Sequence, residues 1–99
     1  MKYGLSPATI EKIVDIFSAY SAISEAVIYG SRAMGNYREG SDIDITLKGD
    51  ISFDDLLRIE NQLEEQMLPY KFDLSVYNTL KNNELLKHID RVGKVFYKK

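Results

Sequence analysis

Two stretches of this chain, residues 42–47 and 72–77, alternate polar and apolar side chains with a period of two, and the segment between them repeats at helical period. No other feature limits the possible folds so strongly. Alternation marks strands with one buried face, here Ile43, Ile45 and Leu47 in the first and Phe72, Leu74 and Val76 in the second. A helix between two strands is a crossover of suitable length to set them side by side in parallel. The other face then carries Asp42, Asp44 and Thr46 on the first strand, and Asp73, Ser75 and Tyr77 on the second.

The remaining segments supply elements to pack around this unit. Ser6-Pro7 is a helix start, because Ser suits the N-cap and the N–H that Pro lacks would be unpaired at the first helical position. Ile10, Ile13, Val14 and Phe17 continue it with an amphipathic stripe to about Tyr20. Ala26-Val27-Ile28-Tyr29 is apolar at consecutive positions and reads as a strand buried on both faces, ending at Gly30. A short helical turn from Ser31 to Met34 is closed by Gly35, and residues 36–41 read as a loop. Ser52 caps a second long helix, with Asp55 at the capping-box spacing, Phe53, Leu56, Leu57, Leu63 and Met67 as its buried stripe, and Pro69 as its stop. Asn82 or Asn83 opens a last helix through Leu85, Leu86 and Ile89, Gly93 stands where a left-handed C-terminal cap is wanted, and residues 94–97 form a final edge strand. The expected fold is α/β in the broad sense (α+β), with a mixed sheet of about four strands. The long helices carry one apolar stripe each, so helices are expected mainly on one sheet face, leaving the carboxylate face comparatively open.

Composition narrows the class. At 99 residues the chain has one core's worth of material, so residues 1–99 read as a single domain. Thirteen basic against fifteen acidic residues give a net charge of −2, which argues against direct nucleic-acid binding. With no Cys and one His, disulfides, Cys-type zinc sites and His-rich metal sites are excluded. No apolar run approaches the roughly 20 residues of a membrane span, and none follows Lys2 as a secretory signal would, so a cytoplasmic location is expected.

Chemistry concentrates in three places: Gly30-Ser31, Asp42-x-Asp44, and Asp73. Two carboxylates side by side on one strand face repel each other, and a hard cation such as Mg2+ or Mn2+ offsets that repulsion. Asp73 joins them if its strand neighbours theirs. Gly30 lets a ligand approach the backbone where a strand enters a helical turn, and backbone N–H groups there suit phosphate, with the Ser31 hydroxyl as a further donor. Arg32 either contacts phosphate or pairs with a carboxylate. A phosphate site beside three carboxylates points to phosphoryl or nucleotidyl transfer.

These residues also carry a family resemblance. Gly30-Ser31, ten intervening residues, then Asp42-x-Asp44 resembles the signature of DNA polymerase β-type nucleotidyltransferases. The fuller run Gly30-Ser31-Arg32-Ala33-Met34-Gly35, with Gly40-Ser41-Asp42-Ile43-Asp44-Ile45, Phe72-Asp73-Leu74 and Asp90-Arg91-Val92-Gly93, resembles the minimal nucleotidyltransferase branch. The resemblance implies the nucleotidyltransferase fold, ATP as donor and two Mg2+ ions, with Mn2+ as a substitute. In that scheme Asp42 and Asp44 hold both ions, Asp73 completes the one at the acceptor hydroxyl, and Gly30 and Ser31 hold the β- and γ-phosphates. It also implies a HEPN-domain toxin as partner, with AMP attached to a toxin tyrosine. A single domain leaves no residues for an acceptor platform, so the acceptor is expected on a second chain. Two other outcomes stay open: an antitoxin that masks its partner by binding alone, and adenylylation of a small molecule.

The rest of the polar inventory has plainer expectations. His88 reads as a surface or helix-end residue, Arg38 as solvated, Tyr37 as loop packing, and Ser75 and Tyr77 as cleft lining or a wet sheet face.

Overall fold

The computed structural model describes all residues from Met1 to Lys99. Its elements are α1 (Pro7–Ser18), β1 (Ile23–Tyr29), α2 (Gly30–Met34), β2 (Ile43–Gly49), α3 (Phe53–Glu65), β3 (Phe72–Val76), α4 (Asn83–Val92) and β4 (Lys94–Lys98), with a 3-10 turn over Tyr77–Thr79. The three long helices start where side-chain oxygens replace missing helical acceptors. Ser6 accepts from the Thr9 N–H, Ser52 from the Asp55 N–H, and Asn82 from the Leu85 N–H.

The sheet runs in the order β3-β2-β1-β4. β1 pairs antiparallel with both β2 and β4, while β2 and β3 are parallel, joined by the α3 crossover. The expected mixed four-stranded sheet is present, with β4 on an edge. β1, buried on both faces, is one of the two central strands.

One face of the sheet holds the main core. Ala26 and Ile28 of β1 and Ile43, Ile45 and Leu47 of β2 pack with Ile13, Ile16 and Phe17 of α1 and Ile59 and Leu63 of α3. On α3 the buried stripe is Leu56, Ile59 and Leu63. Phe53, Leu57 and Met67, expected inside, are 72%, 43% and 88% exposed. Leu56 and Leu57 lie about 100° apart around the helix, so only one of them can face the sheet. Met67 lies beyond the helix end in a left-handed conformation, and the helix stops at Glu65, before Pro69.

The last helix departs from expectation more consequentially. α4 packs on the opposite face, where Ile89, Leu85 and Val92 meet Val27 and Tyr29. Successive side chains of β1 point to opposite faces, so Val27 and Tyr29 share the face of Asp44. The carboxylate face is therefore half covered rather than open. Gly93 is not left-handed: φ is −62° and ψ 145°. A Cβ there would strike the Ile89 carbonyl and the Val27 side chain, so the glycine is there for a close approach that lets α4 turn directly into β4. No helix is long and apolar enough to cross a membrane.

Candidate active site

The strand registers place the acidic residues. Parallel pairing of β2 with β3 sets Asp44 opposite Asp73, and antiparallel pairing of β1 with β2 sets Tyr29 opposite Asp44. Tyr29, Asp44 and Asp73 thus form a row across three strands on one face. Asp42 stands two residues before Asp44, where the loop enters β2. One step below the row, Thr46 is fully buried and accepts a 3.0 Å hydrogen bond from the Ser75 hydroxyl. Asp42 and Asp73 are exposed, and Asp44 between them is partly buried.

Burial pushes the Asp44 carboxyl above the usual aspartate range, and the charges of Asp73 and then Asp42 push it further, while His88 pulls it down. Tyr29 feels the same field. Burial raises its phenol, a hydrogen bond with Ser75 partly offsets this, and Asp73 and Asp44 raise it again. Asp44 therefore binds its proton more tightly in the folded than in the unfolded chain. Stability should fall as pH rises from about 3.9, the ordinary aspartate value, through the raised value, and the penalty is fully present above it. Asp44→Asn should melt higher than the parent at neutral pH in chelator, and lose less stability between pH ~4 and ~7. Thermal melts across that range check this, and an Asn variant less stable at neutral pH would refute it.

The glycine turn abuts this carboxylate. β1 runs into α2 without a loop, and Gly30 adopts φ +72°. A Cβ on Gly30 would collide with the Asp44 carboxylate. The Gly30–Ser31 turn and the Asp42-x-Asp44 pair, ten residues apart in sequence, are thus one site.

Arg32 is fastened to the backbone of its own chain. Its side chain is buried, with Nε and Nη2 donating to the Ser41 carbonyl at 3.1 and 2.9 Å and Nη1 donating to the Tyr3 carbonyl at 2.9 Å. The guanidinium also lies 5.3 Å from the Tyr37 ring centre and 4.9 Å from that of Tyr70. It makes no salt bridge to a carboxylate. Its work is to fasten the loop that delivers Asp42, since Ser41 is the residue before it. Arg38 is exposed, and its N–H donates to the Ser41 hydroxyl in the same loop.

One residue escaped the sequence reading. His88 lies against the turn, its Nε2 accepting the Gly30 N–H at 3.2 Å and its ring edge-to-face with Tyr29 at a centroid distance of 6.1 Å. The signal was present: Leu85, His88, Ile89 and Val92 follow the i, i+3, i+4, i+7 rule, which puts His88 on the buried stripe of α4. Ser75 lies under the row of Tyr29, Asp44 and Asp73, whereas the Tyr77 hydroxyl donates to Asp90 at 2.9 Å, drawing that ring towards α4.

The donor set around Asp44 is all oxygen, which fits a hard divalent cation. The three carboxylates are not closed into a ready-made three-ligand cluster. What makes the set suited to a cation is their repulsion: the negative field that lifts the Asp44 carboxyl is the field a bound cation relieves.

Comparisons with known proteins bear on the family and the fold. The family model described as polymerase beta, nucleotidyltransferase, matches residues 11–99. Among solved structures, one of a toxin–antitoxin with AMP-PNP superposes at a TM-score of 0.73 with 17% identity, covering 91% of this chain and 73% of that one. The toxin–antitoxin MntA–HepT superposes at 0.69 with 14% identity, covering 95% and 74%. A complex of the tri-AMPylated Shewanella oneidensis HEPN toxin with MNT antitoxin superposes at 0.67 with 15% identity, covering 93% and 71%. At these identities the likeness is one of fold. No curated protein sequence matches the chain.

Proposed function

This chain belongs to the polymerase beta nucleotidyltransferase family, and from that premise we propose that it moves AMP from ATP to a hydroxyl of a partner protein, a tyrosine of a HEPN-domain toxin. The observation that carries the reading is the register of Asp44 opposite Asp73, with Asp42 two residues away and the Gly30 turn against the same carboxylate. The choice of adenine nucleotide and HEPN partner is supported by structures of like fold, one with AMP-PNP and one in which a HEPN toxin carries AMP.

In this reading the acceptor oxygen attacks the α-phosphorus, its hydroxyl proton passes to solvent, the bond to the α–β bridging oxygen breaks, and pyrophosphate leaves. Asp42, Asp44 and Asp73 would hold divalent cations, Mg2+ in the cell, which supply positive charge to the triphosphate and lower the pKa of the attacking hydroxyl. Asp44, partly buried at the centre of the row, fixes the nucleotide side. Asp73, exposed on the edge strand β3, faces the acceptor and orients its hydroxyl. The turn at Gly30 and Ser31 receives the β- and γ-phosphates, and Arg32 keeps Asp42 in place through the Ser41 carbonyl. α4 closes the β1 side of the face, leaving Asp42 and Asp73 open to a docking protein, which would exclude water and bring its hydroxyl in line.

Asp73→Ala should therefore lower turnover by about a hundredfold or more while changing the dissociation constant for ATP by no more than about threefold. Single-turnover rates and equilibrium nucleotide binding separate the two effects. Weak ATP binding with an intact transfer step would move Asp73 to the nucleotide side. The reading as a whole is tested by co-purifying the chain with a HEPN partner and weighing that partner after treatment with ATP and Mg2+. A mass gain of one or more AMP groups supports transfer. A tight complex without mass gain supports neutralisation by binding alone.

A further inference from the structure

The Gly30 N–H, a donor the phosphate reading would use, is already taken. It donates to His88 Nε2 at 3.2 Å, across 58 residues of sequence. An acceptor nitrogen requires a neutral imidazole with its proton on Nδ1, because an imidazolium has no lone pair to offer; the bond belongs to this neutral form, not to the charged form that draws the Asp44 carboxyl down. The ring is fixed in that attitude. Leu85, Ile89 and Val92 anchor α4 against Val27 and Tyr29, and His88 stands edge-on to the Tyr29 ring at 80°. The turn is thus held from two sides: the Asp44 carboxylate lies where a Cβ of Gly30 would go, and the imidazole caps its amide.

We infer that His88 is a positioning residue of the nucleotide turn: it holds the Gly30 amide in place, so that the turn stays seated against Asp44. One N–H does not serve an imidazole and a phosphate oxygen at full strength together. A loose Gly30 would let the turn swing away from Asp44, separating phosphate donors from carboxylates. His88 thus reaches the nucleotide only through the backbone.

The inference about phosphate rests on the proposed nucleotidyl transfer, but the hydrogen bond can be tested without nucleotide. In 15N-labelled protein, the His88 ring should show Nε2 unprotonated and Nδ1 protonated near pH 8, a measurement that needs no variant. The reverse tautomer overturns the proposal. His88→Phe keeps an edge contact with Tyr29 but offers no acceptor, whereas His88→Gln offers a carbonyl oxygen near the Nε2 position. Amide exchange at Gly30 should be about tenfold faster in the Phe variant and return to within about threefold of the parent in the Gln variant. The dissociation constant for AMP-PNP with Mg2+ should follow the same order, about tenfold weaker in Phe and restored in Gln. Unchanged Gly30 exchange in His88→Phe overturns the proposal. So does tighter AMP-PNP binding, which would make the imidazole a competitor for the phosphate. If the parent binds no nucleotide, the proposed function fails, and the Gly30 exchange and ring tautomer still decide whether His88 holds the turn.

Discussion

Replacing Asp42 and Asp44 together by Asn should cut divalent-dependent AMP transfer by about a thousandfold or more and leave the fold intact. Both residues stand off the main core: Asp42 is exposed, and Asp44 lies on the face away from α1 and α3. Neither makes a salt bridge within the chain, so charge removal breaks no ion pair. It relieves the repulsion that pushes the Asp44 carboxyl up, and the melting temperature in chelator should rise or hold. Amides keep the size of the side chains but lose the negative charge that makes them ligands for hard cations. Full activity in the double variant would remove the carboxylates from the chemistry. A collapse of the fold would mean that they were structural.

The second large effect is expected at Gly30. At φ +72° any other L-residue is strained, by roughly 1–2 kcal/mol, and here the new methyl group also strikes the Asp44 carboxylate. Gly30→Ala should therefore destabilise by about 2 kcal/mol and reduce transfer by at least about a hundredfold, because the carboxylate has to leave its position or the turn has to move. Gly35→Ala is the control. Gly35 has a similar φ of +88° but open space where its Cβ would be, so that variant should share the backbone strain and keep its activity. Equal activity loss in both variants would show that strain, rather than displacement of Asp44, is responsible.

Much of this arrangement could be read from the residues, and the parts that could not share a cause. Strand alternation at residues 42–47 and 72–77 is a local property, and it put Asp44 and Asp73 on one face because side-chain direction in a strand has a period of two, whereas Asp42 stands just ahead of β2. Their adjacency followed from the α3 crossover. Caps at Ser6, Ser52 and Asn82 are equally local. The choice of sheet face for α4 is not. Its stripe of Leu85, His88, Ile89 and Val92 was equally able to face either side. What settles it is that β1 is apolar on both faces: Ala26 and Ile28 are taken by the main core, and Val27 and Tyr29 need a cover of their own. His88 was missed for this reason, being far from the motif in sequence and inside the site in space. Arg32 has tertiary contacts that are equally hidden. Its partners within the chain are the carbonyls of Tyr3 and Ser41 and the rings of Tyr37 and Tyr70, and none of these contacts shows in the local sequence. On α3, two adjacent leucines left the helix phase ambiguous, and Ile59 decided it.

The most direct test of the central claim follows the two ends of ATP separately. The chain, co-purified with its partner, is incubated with Mg2+ and ATP labelled at either the α- or the γ-phosphate, and label on the partner is measured for the parent and for the Asp42→Asn, Asp44→Asn variant. Nucleotidyl transfer predicts α-label on the partner, no γ-label, released pyrophosphate, and loss of the signal in the variant. Transfer of γ-label, or α-label that persists without the two carboxylates, would contradict it.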